Sequence, residues 1–524
     1  MSGQALAEHL EHPRGRGRTP PGAHTGAAGS ATCGDVVRVS LSLAPGHPEG
    51  LIADAGFDAA GCGATIAAGS AVVALLRGRG LLAAARLGAR DIAEELGGLM
   101  ASKLHAAALA ADALHRALGH AARQTQLAPA QSRALVAMSG GVDSAVAALL
   151  VAQGGAEAIA VTLELWSDPD NDGERSCCSP QAVRGARSLA HDLGLPHFSL
   201  DLRDEFRAGV VDPWLADHAA GETPNPCVRC NGQVRLDGML AFADRIGAET
   251  LVTGHYARVH HDSVAPPAGG LPSGPGPTDD PGVGAAAGPL LRTATDAAKD
   301  QSYMLAALAP ATLARLRFPL GSLTKAQVRA RAEQAGLAVA HKPDSQDLCF
   351  LAGTGKAAFL ARHGGQGERP GPIVDRRGHR LGSHRGHQGF TVGQRRGLGL
   401  GGGEPLYVLG TDAADNVVTV GPRDALIHHE VRVRDVTLHA GGACVDGVRL
   451  RYRGAALPCR SLPDRARGAH EELTLHLRGP SGAVAPGQLA CLMSGELVVG
   501  HATVAAWPPP RPSMARATGR TGDR

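Results

Sequence analysis

The sequence predicts a multidomain protein with a doubly wound α/β domain at its centre, and three observations support this. Short apolar strands alternate with helical segments between residues 133 and 259, as expected for a parallel sheet covered by helices. Strand-and-turn patterns dominate after residue 371 and predict a β-rich C-terminal part. The chain has 524 residues, 44% of them hydrophobic, which is enough for about three or four domains.

The first domain is expected over residues 1–122 as an α+β unit. Its first 30 residues are rich in Arg, Pro and Gly, and we expect them to be disordered. An alternating pattern from Asp35 predicts a strand, and residues 51–61 predict a second one. Helical patterns begin at Ala64 and Ala101. A polar stretch then links this unit to the next.

The α/β domain is expected over residues 130–310, and its elements alternate along the chain. The predicted elements are a strand at Arg133–Met138, a helix at Ala145–Ala152, a strand at residues 158–165, a helix at Ala182–Leu193, and strands at Pro196–Leu200 and Glu249–Val259. Residues 262–288 are rich in Pro, Gly and Ala without periodicity, which predicts a disordered insertion.

Three further segments complete the predicted organisation. A small central domain is expected over residues 311–425, opening with a helical pattern up to Gly336. The β-rich C-terminal domain is expected over residues 426–505. Residues 506–524 predict a disordered tail.

The sequence argues against a disulfide scaffold, a secreted protein and a membrane span, and its charge indicates no class of partner. The net charge of +3 is too small to indicate a nucleic-acid-binding protein by charge alone. Ten cysteines in a chain this long are too few for a disulfide scaffold. The N-terminus lacks the pattern of a secretion signal, and no apolar run reaches ~18 residues. We therefore expect a cytoplasmic protein without a membrane span.

Lysine is rare in this chain. Of 52 basic residues only five are lysines. They are Lys103, Lys299, Lys325, Lys342 and Lys356. Because the sequence strongly prefers arginine, each lysine is unexpected, and we consider the motif in which each one lies.

The hexapeptide SGGVDS, Ser139 to Ser144, lies between a predicted strand and a predicted helix. Its glycines allow a tight turn that aims N–H groups inward, and the helix N-terminus favours an anion. The two serines can donate hydrogen bonds, and Asp143 can hold Mg²⁺ or orient a nucleotide. No Gly-Lys-Ser/Thr follows, so the loop is not a Walker A motif.

This hexapeptide resembles the PP-loop of the ATP pyrophosphatases. The resemblance implies that the protein binds ATP with Mg²⁺ and adenylates an oxygen on a substrate. Amidating synthetases and tRNA-sulfur enzymes both belong to this class, and the loop alone does not choose between them.

Cysteines occur in two polar motifs, TPNPCVRCN at residues 223–231 and KPDSQDLCF at residues 342–350. The first carries Cys227 and Cys230, and the second carries Cys349. Thiolates are nucleophiles and soft-metal ligands, and cations nearby lower their pKa. A CxxC pair is also half of a structural zinc site, but zinc needs a second pair at similar spacing.

Residues from about 132 to 505 resemble the tRNA-specific 2-thiouridylases. The motifs that carry the resemblance are SGGVDS, TPNPCVRCN, LVTGHYARV (251–259), KDQSYML (299–305), KPDSQDLCF, GFTVGQRRGLGLGG (389–402) and Arg451-Tyr452. They occur together and in family order. The resemblance implies a PP-loop domain, a central tRNA-binding domain that includes the Cys349 loop, and a C-terminal β-barrel-like domain.

The resemblance also implies a reaction. ATP adenylates the C2 oxygen of the wobble uridine in tRNAs for lysine, glutamate and glutamine, and a persulfide sulfur displaces AMP. A persulfide has a low pKa and is a strong nucleophile. Cys349 aligns with the cysteine that carries the persulfide. Cys230 aligns with the second catalytic cysteine, which leaves a Cys230–Cys349 disulfide. A cysteine desulfurase or a sulfur-relay protein is the implied donor.

Two sets of contact residues follow from the same resemblance. The residues implied to line the ATP site are Ala137, Met138, Ser139, Gly140, Gly141, Val142, Asp143, Ser144, Leu163 and Gly254. The residues implied to contact tRNA are Asn225, Pro226, Cys227, Lys299, Asp300, Gln301, Arg451 and Tyr452. The basic tract at residues 385–396 fits a phosphate-contacting loop, although an ordinary solvated loop has the same composition.

Cys227 departs from the pattern of many family members, which carry Asp at this position. The extra thiol opens an alternative in which Cys227, Cys230 and Cys349 hold a 4Fe–4S cluster.

Residues from about 8 to 120 resemble a different family, the U-type (NifU-like) iron–sulfur scaffolds. The matches are Thr32-Cys33-Gly34-Asp35, Gly61-Cys62-Gly63, Asp91-Ile92-Ala93-Glu94 and Lys103-Leu104-His105. These scaffolds use three cysteines and an aspartate, but Ala106 stands at the third cysteine position. The remaining donors, Cys33, Asp35, Cys62 and His105, suit Zn²⁺ or a weak iron–sulfur site.

Several functions stay open at this point. Cys33 or Cys62 could relay persulfide sulfur to Cys349, or the N-terminal unit could be a degenerate domain kept for docking or folding. For the whole chain, the leading hypothesis is an ATP-dependent tRNA sulfurtransferase. One alternative is another PP-loop adenylating ligase, which predicts no paired catalytic cysteines. The other is an iron–sulfur scaffold or delivery protein with a regulatory PP-loop domain.

Overall fold

The computed structural model describes residues 4–29, 34–167, 179–261, 288–344, 348–351, 354–365, 368–401 and 404–506. Cys33, Cys177 and Cys178 lie outside these residues. So do the predicted insertion and the predicted tail, apart from Gly288 and Ala506. Within the described ranges, no helix is both long and apolar enough to cross a membrane.

The N-terminal domain is an antiparallel sheet in the order β1-β2-β3 with helices packed on it. Its elements are α1 (Gln4–Glu11), β1 (His24–Gly29), β2 (Val36–Leu43), β3 (Ile52–Ala60), α2 (Gly63–Leu76), α3 (Leu81–Ala84), α4 (Ala89–Glu95) and α5 (Leu104–Gln124). Alternate residues of β2, such as Val37 and Val39, face the core. The apolar side of the long helix α5 covers the sheet.

The prediction of disorder over the first 30 residues is wrong. Helix α1 buries His9, whose Nδ1 lies 2.8 Å from the Ser70 hydroxyl. Strand β1 pairs along its whole length with β2. Gly26 in β1 packs so tightly on α5 that a Cβ would collide with the backbone at Ala113 and Ala117. Gly26, one of the glycines that indicated disorder, therefore serves a close strand–helix contact.

The central part of the chain forms the predicted doubly wound domain. Its strands and the hairpin that follows them are β4 (Ala130–Ala137), β5 (Glu157–Glu164), β6 (His197–Asp201), β7 (Ala248–Val252), β8 (Arg258–His260), β9 (Leu290–Arg292) and β10 (Leu316–Arg317). Strands β10-β7-β4-β5-β6 form one parallel sheet in that order. Parallel pairing places the carboxyl ends of all these strands at one edge.

The helices of this domain pack on the sheet or on one another. They are α6 (Val142–Gln153), α7 (Pro180–Asp192), α8 (Arg203–Phe206), α9 (Asp212–Ala219), α10 (Pro226–Cys230), α11 (Leu236–Arg245), α12 (Ser302–Leu305), α13 (Pro310–Arg315) and α14 (Lys325–Gln334). The strand expected over residues 249–259 ends earlier, at Val252. The chain turns there, and β8 joins β9 and the C-terminal sheet instead.

The remaining chain is β-rich, as predicted. Its elements are α15 (Lys356–His363), β11 (Gly371–Val374), β12 (Arg380–His384), β13 (Tyr407–Asp412), β14 (Val417–Gly421), β15 (Glu430–Leu438), β16 (Gly447–Arg449), β17 (Leu457–Pro458), β18 (Gly468–His476), β19 (Leu489–Ser494) and β20 (Leu497–Val504). One sheet has the order β12-β11-β14-β13, and another has the order β17-β16-β19-β20-β15-β18. Cys459 and Cys491 are buried in the second, in line with an apolar packing role.

Helix α5 joins the N-terminal domain to the parallel sheet. One continuous apolar core runs through the N-terminal domain, the face of the parallel sheet that packs on α5, and strand β19. Asp112 on α5 forms ion pairs with Arg184 at 2.6 Å and with the buried Arg187 at 2.5 Å, both on α7. The N-terminal domain therefore packs against the α/β domain through a buried, charged and close-packed interface.

Candidate active site

The phosphate loop leaves β4 at the carboxyl edge of the sheet and leads into α6. Gly140 has φ +69, a conformation that favours glycine, and Gly141 caps the helix in extended conformation. The Ser144 hydroxyl accepts a hydrogen bond from the Ser139 N–H at 3.1 Å and donates to the Gly141 carbonyl at 3.0 Å. The loop is thereby held as a turn at a helix N-terminus, the arrangement that binds phosphate.

The other residues implied to line the ATP site gather around this turn. Leu163 lies near the end of β5, beside β4. Gly254 follows β7 and packs on the loop so closely that a Cβ would lie 2.8 Å from the Asp143 carbonyl carbon and the Ser144 nitrogen. The Tyr256 hydroxyl donates to the Asp143 carboxylate at 2.8 Å. Gly254 and Tyr256 of the motif LVTGHYARV therefore pack directly on the phosphate loop.

Lys325, at the start of α14, is a residue of this site that motif analysis missed. Its Nζ lies 2.7 and 2.8 Å from the two carboxylate oxygens of Asp143 and 2.8 Å from Asp344 Oδ1. The rarity of lysine in this chain could have indicated Lys325. Three of the other four lysines fall inside the motifs that carry the two resemblances.

Asp344 forms ion pairs with three basic side chains. Lys299 donates to it at 2.7 Å and Arg329 at 3.2 Å, in addition to Lys325. Burial raises the pKa of Asp344, but the hydrogen bonds from Lys299 and Lys325 outweigh this and hold the pKa below its ordinary value. The carboxylate is therefore charged at neutral pH.

Cys227 and Cys230 lie on α10, a short helix that continues through a π-helical turn, Asn231–Arg235, into α11. The Asn225 side chain caps it by accepting a hydrogen bond from the Cys227 N–H at 3.1 Å. Cys230 is buried, whereas Cys227 is half-buried. Burial raises the pKa of the Cys227 thiol, which favours the protonated form.

Cys349 lies beside a cluster of aromatic rings. The adjacent Phe350 packs on Trp214 with ring centroids 5.3 Å apart and on Phe206 at 5.9 Å. Cys230 and Cys349 both belong to the same apolar core, Cys230 as a buried member and Cys349 at its margin. The Phe350 ring also lies 6.4 Å from that of Trp166, two residues after the end of β5. Helix α10 packs on the π-helical turn Arg207–Val211 that follows α8, so the segments of both cysteines lie near the carboxyl edge of the sheet.

The residues implied to contact tRNA fall into two groups. Asp300 is buried and accepts from Arg449 at 2.7 Å, and the Gln301 side chain accepts from the Tyr256 N–H at 2.9 Å. Asp300 is thereby held away from solvent, whereas Gln301 is half-buried and joins its segment to Tyr256. Arg451 is exposed, and Tyr452 is half-buried near Tyr303.

The segment that leads to α10 is a meeting point of three parts of the molecule. The Thr223 N–H donates to the Pro486 carbonyl at 2.8 Å, and its hydroxyl donates to Thr391 at 3.4 Å. Thr391 belongs to the basic tract at residues 385–396, where Arg385, Arg395 and Arg396 are exposed. A cationic surface therefore adjoins the segment that carries the cysteines.

A separate group of ligand atoms lies in the N-terminal domain. Atoms of Asp35, Cys62 and His105 lie within 4.8 Å of one another. The buried Asp35 accepts from the Thr65 hydroxyl at 2.5 Å, and this bond is the main reason that its pKa lies below the ordinary value. A carboxylate, a thiol and an imidazole are ligands that fit Zn²⁺.

Helix α5 separates this group from the cysteines of the α/β domain. His105 lies at the start of α5 and Arg123 near its end, about 27 Å further along the axis at 1.5 Å per residue. Arg123 binds Glu205 at 2.7 Å, and the ring of the next residue, Phe206, contacts Phe350 beside Cys349. Arg116, in the middle of α5, also pairs with Glu164 at 3.5 Å, so α5 contacts the α/β domain along its length beyond the Asp35–Cys62–His105 group.

Family models match the chain in series. The model of the tRNA methyl transferase HUP domain matches residues 132–353, and that of the NifU-like N terminal domain matches residues 2–127. The tRNA methyl transferase PRC-barrel domain matches residues 357–422, and the aminomethyltransferase beta-barrel domain matches residues 429–504.

A relative from Rubrobacter xylanophilus, named bifunctional protein NifU/MnmA, is 39% identical and covers 96% of this chain and 98% of its own. The chain belongs to the bifunctional NifU/MnmA family. Proteins named tRNA-specific 2-thiouridylase MnmA match the part after the N-terminal domain. The one from Roseiflexus castenholzii is 40% identical over 71% of this chain and 99% of its own, and the one from Rhodospirillum centenum is 42% identical over 71% and 91%. Both predicted resemblances and the multidomain fold class are confirmed.

Proposed function

We propose that the protein is an ATP-dependent tRNA sulfurtransferase of the cytoplasm that makes 2-thiouridine at the wobble position of tRNAs for lysine, glutamate and glutamine. The observation that carries this proposal is that the phosphate loop, the Cys227–Cys230 helix and the residue after Cys349 all contact segments that follow the carboxyl ends of the parallel strands. Relatives named tRNA-specific 2-thiouridylase cover this whole part of the chain.

In the first step, the phosphate loop holds ATP through backbone N–H groups at the start of α6. Asp143 is a hard oxygen ligand that fits Mg²⁺, which when bound neutralises phosphate charge. The C2 oxygen of uridine attacks the α-phosphorus of ATP and pyrophosphate leaves. The exposed Arg385, Arg395 and Arg396 are placed to bind the tRNA backbone beside this site.

In the second step, sulfur replaces oxygen. The terminal sulfur of a persulfide on Cys349 attacks C2, and AMP leaves with the electrons of the C2–O bond. The Cys230 thiolate then attacks Cys349 Sγ and breaks the S–S bond, so the terminal sulfur stays on C2 and a Cys230–Cys349 disulfide forms. A thiol reductant and a persulfide donor, such as a cysteine desulfurase or a sulfur-relay protein, restore the enzyme.

Cysteine variants test this function. With tRNA, ATP and a desulfurase, we expect Cys349→Ala to release pyrophosphate without displacing AMP by sulfur. We expect Cys230→Ala to release AMP but to keep the sulfur on C2 bonded to Cys349, so neither variant forms free 2-thiouridine. The half-buried Cys444 of the C-terminal part serves as the control, and Cys444→Ala should retain thiolation. Thiolation by either of the first two variants at the wild-type rate would disprove the assigned roles, and AMP release that does not depend on tRNA would disprove the substrate.

The same proteins decide between the persulfide and a 4Fe–4S cluster on Cys227, Cys230 and Cys349. We favour the persulfide because Cys230 and Cys349 account for the whole sulfur transfer without a third cysteine. Anaerobically purified protein should be colourless, iron-free and active. A brown, iron-containing protein whose absorption disappears in Cys349→Ser would establish the cluster instead.

For the N-terminal domain we propose a docking role, with sulfur reaching Cys349 from outside the chain. The packing of α5 on the parallel sheet supports this, because Asp112 pairs with Arg184 and Arg187 and makes the N-terminal domain part of the fold of the α/β domain. The double variant Cys33→Ala/Cys62→Ala should keep the wild-type thiolation rate with desulfurase as donor. A marked loss of rate would favour a relay. Deleting the domain is a poorer test because it would expose the shared core.

A further inference from the structure

The C-terminal barrel domain, residues 429–504, holds the segment just before the cysteine helix α10 at two adjacent residues, Glu222 and Thr223. The Arg434 guanidinium on β15 donates to both carboxylate oxygens of Glu222, at 2.8 and 2.9 Å. The Thr223 N–H donates to the Pro486 carbonyl at 2.8 Å, and the Gln488 side chain donates to the Thr223 carbonyl. Two consecutive residues of the α/β domain are therefore fixed by another domain.

The backbone of the barrel domain takes unusual conformations at both contacts. Asp435, next to Arg434, has φ +52 where the pairing of β15 with β20 shifts register, and a bulge of this kind redirects the neighbouring side chain. The Asp435 carboxylate also pairs with Arg434 at 2.6 Å and holds the guanidinium in place. Gly487 has φ +83, and a Cβ there would lie 2.9 Å from the Glu222 Cβ and 3.2 Å from the Thr223 nitrogen. Only glycine allows this close approach.

The connection from this segment to α10 is stiff. Pro224 and Pro226 stand on either side of Asn225. Each proline fixes its own φ and restricts the residue before it. The Asn225 side chain then caps α10 by accepting from the Cys227 N–H, and Cys230 is buried at the end of the helix. A displacement at the barrel contacts is therefore passed on to Cys230, because the chain between them has little freedom to absorb it.

We propose that the C-terminal barrel domain positions Cys230 for the last step of sulfur transfer. The positioning residues are Arg434, Gly487 and Gln488, which act through the two residues that they hold. In that step the Cys230 thiolate attacks Cys349 Sγ, the S–S bond breaks, and its electron pair stays on the sulfur at C2 of the uridine. This role rests on the proposed function. Adenylation at the phosphate loop does not use Cys230, so it should not depend on these contacts.

The test follows a single turnover with tRNA and ATP, using protein first loaded with persulfide by a desulfurase. It measures released pyrophosphate, free 2-thiouridine, and tRNA bonded to the protein through Cys349. In Arg434→Met we expect pyrophosphate release at the wild-type rate, free 2-thiouridine formed about tenfold more slowly, and accumulation of the tRNA–protein adduct. Arg434→Lys keeps a charged contact with Glu222 and should be slowed less. Gly487→Ala displaces Glu222 without changing any charge and should behave like Arg434→Met.

Two variants in the same domain are matched controls. Arg432, also on β15, forms its ion pair within the barrel domain, with Glu472 at 3.2 Å, so Arg432→Met removes a comparable surface charge. Gly495 has φ +55, but a Cβ there would have no atom within 4 Å, so Gly495→Ala adds backbone strain alone. Both controls should form free 2-thiouridine at the wild-type rate without accumulating the adduct.

Circular dichroism establishes that each variant is folded. If folded Arg434→Met and Gly487→Ala form free 2-thiouridine as fast as the wild type, this inference alone is overturned. A raised KM for tRNA without accumulation of the adduct would make Arg434 a tRNA contact and would also overturn it. If the wild type forms no 2-thiouridine, both the inference and the proposed function are overturned.

Discussion

Gly119 of helix α5 lies directly against the backbone carbonyl of Ser199 on β6, and a Cβ at position 119 would collide with that oxygen. One turn earlier, the ring of His115 lies 2.9 Å from the His197 carbonyl and 2.8 Å from the Leu87 carbonyl. Strand β6 is the edge of the parallel sheet on this side. The N-terminal domain is therefore a structural support of the α/β domain, whatever ligand it binds.

Gly119→Val should loosen this attachment. The added side chain forces α5 away from β6, and overpacking of this kind costs about 1–3 kcal/mol. We expect a lower melting temperature and faster proteolysis between α5 and β4. Gly185→Val is the control, since Gly185 is also helical but a Cβ added there would have no atom within 4 Å. Equal destabilisation of the two variants would show that helix propensity, and not the contact with Ser199, is responsible.

Zinc should bind the N-terminal domain through Asp35, Cys62 and His105. Titration with Zn²⁺ alone should raise the melting temperature of the wild type, and a chelator should reverse the shift. His105→Ala should weaken zinc binding at least tenfold, since it removes one of three ligands that lie close together. His120→Ala, near the other end of α5, should bind zinc like the wild type. Wild-type affinity in His105→Ala would exclude this ligand set.

The parallel sheet and the phosphate loop can be predicted from the sequence because local patterns determine them. Apolar runs, the Gly-Gly turn and the adjacent helical period are all visible within about 30 residues. The start of the chain is predicted wrongly for the opposite reason. Strand β1 is rich in Ala and Gly because α5, far along the chain, packs on it at Gly26.

The contacts of Lys325 cannot be derived in the same way. Asp143 is 182 residues away in the sequence, and no periodic pattern connects the two. Likewise, the motif KDQSYML gives no sign that Asp300 is buried and accepts a hydrogen bond from Arg449 on β16. Long-range ion pairs depend on how domains pack, and a single sequence does not contain that information in any local pattern.

Acidification should destabilise the aromatic cluster behind Cys349 through His218. This ring stacks on Trp214 at 4.2 Å, and Trp214 packs on Phe350. Burial, and then the nearby Lys356 charge, lower the pKa of His218 to about 4, so the folded protein keeps it neutral. Because the unfolded pKa is about 6.5, the unfolded chain binds the proton first as pH falls, and stability is lost from pH 6.5 downward.

At pH 5 this loss should approach about 2 kcal/mol for the one histidine, since each pKa unit corresponds to about 1.4 kcal/mol. Urea unfolding at pH 7 and pH 5 measures it. His218→Phe keeps a ring on Trp214 but cannot be protonated, so its stability should fall less between the two pH values. His341→Phe alters a histidine whose side chain is 85% exposed and should keep the wild-type dependence. If His218→Phe loses as much stability as the wild type, protonation of His218 is not the cause.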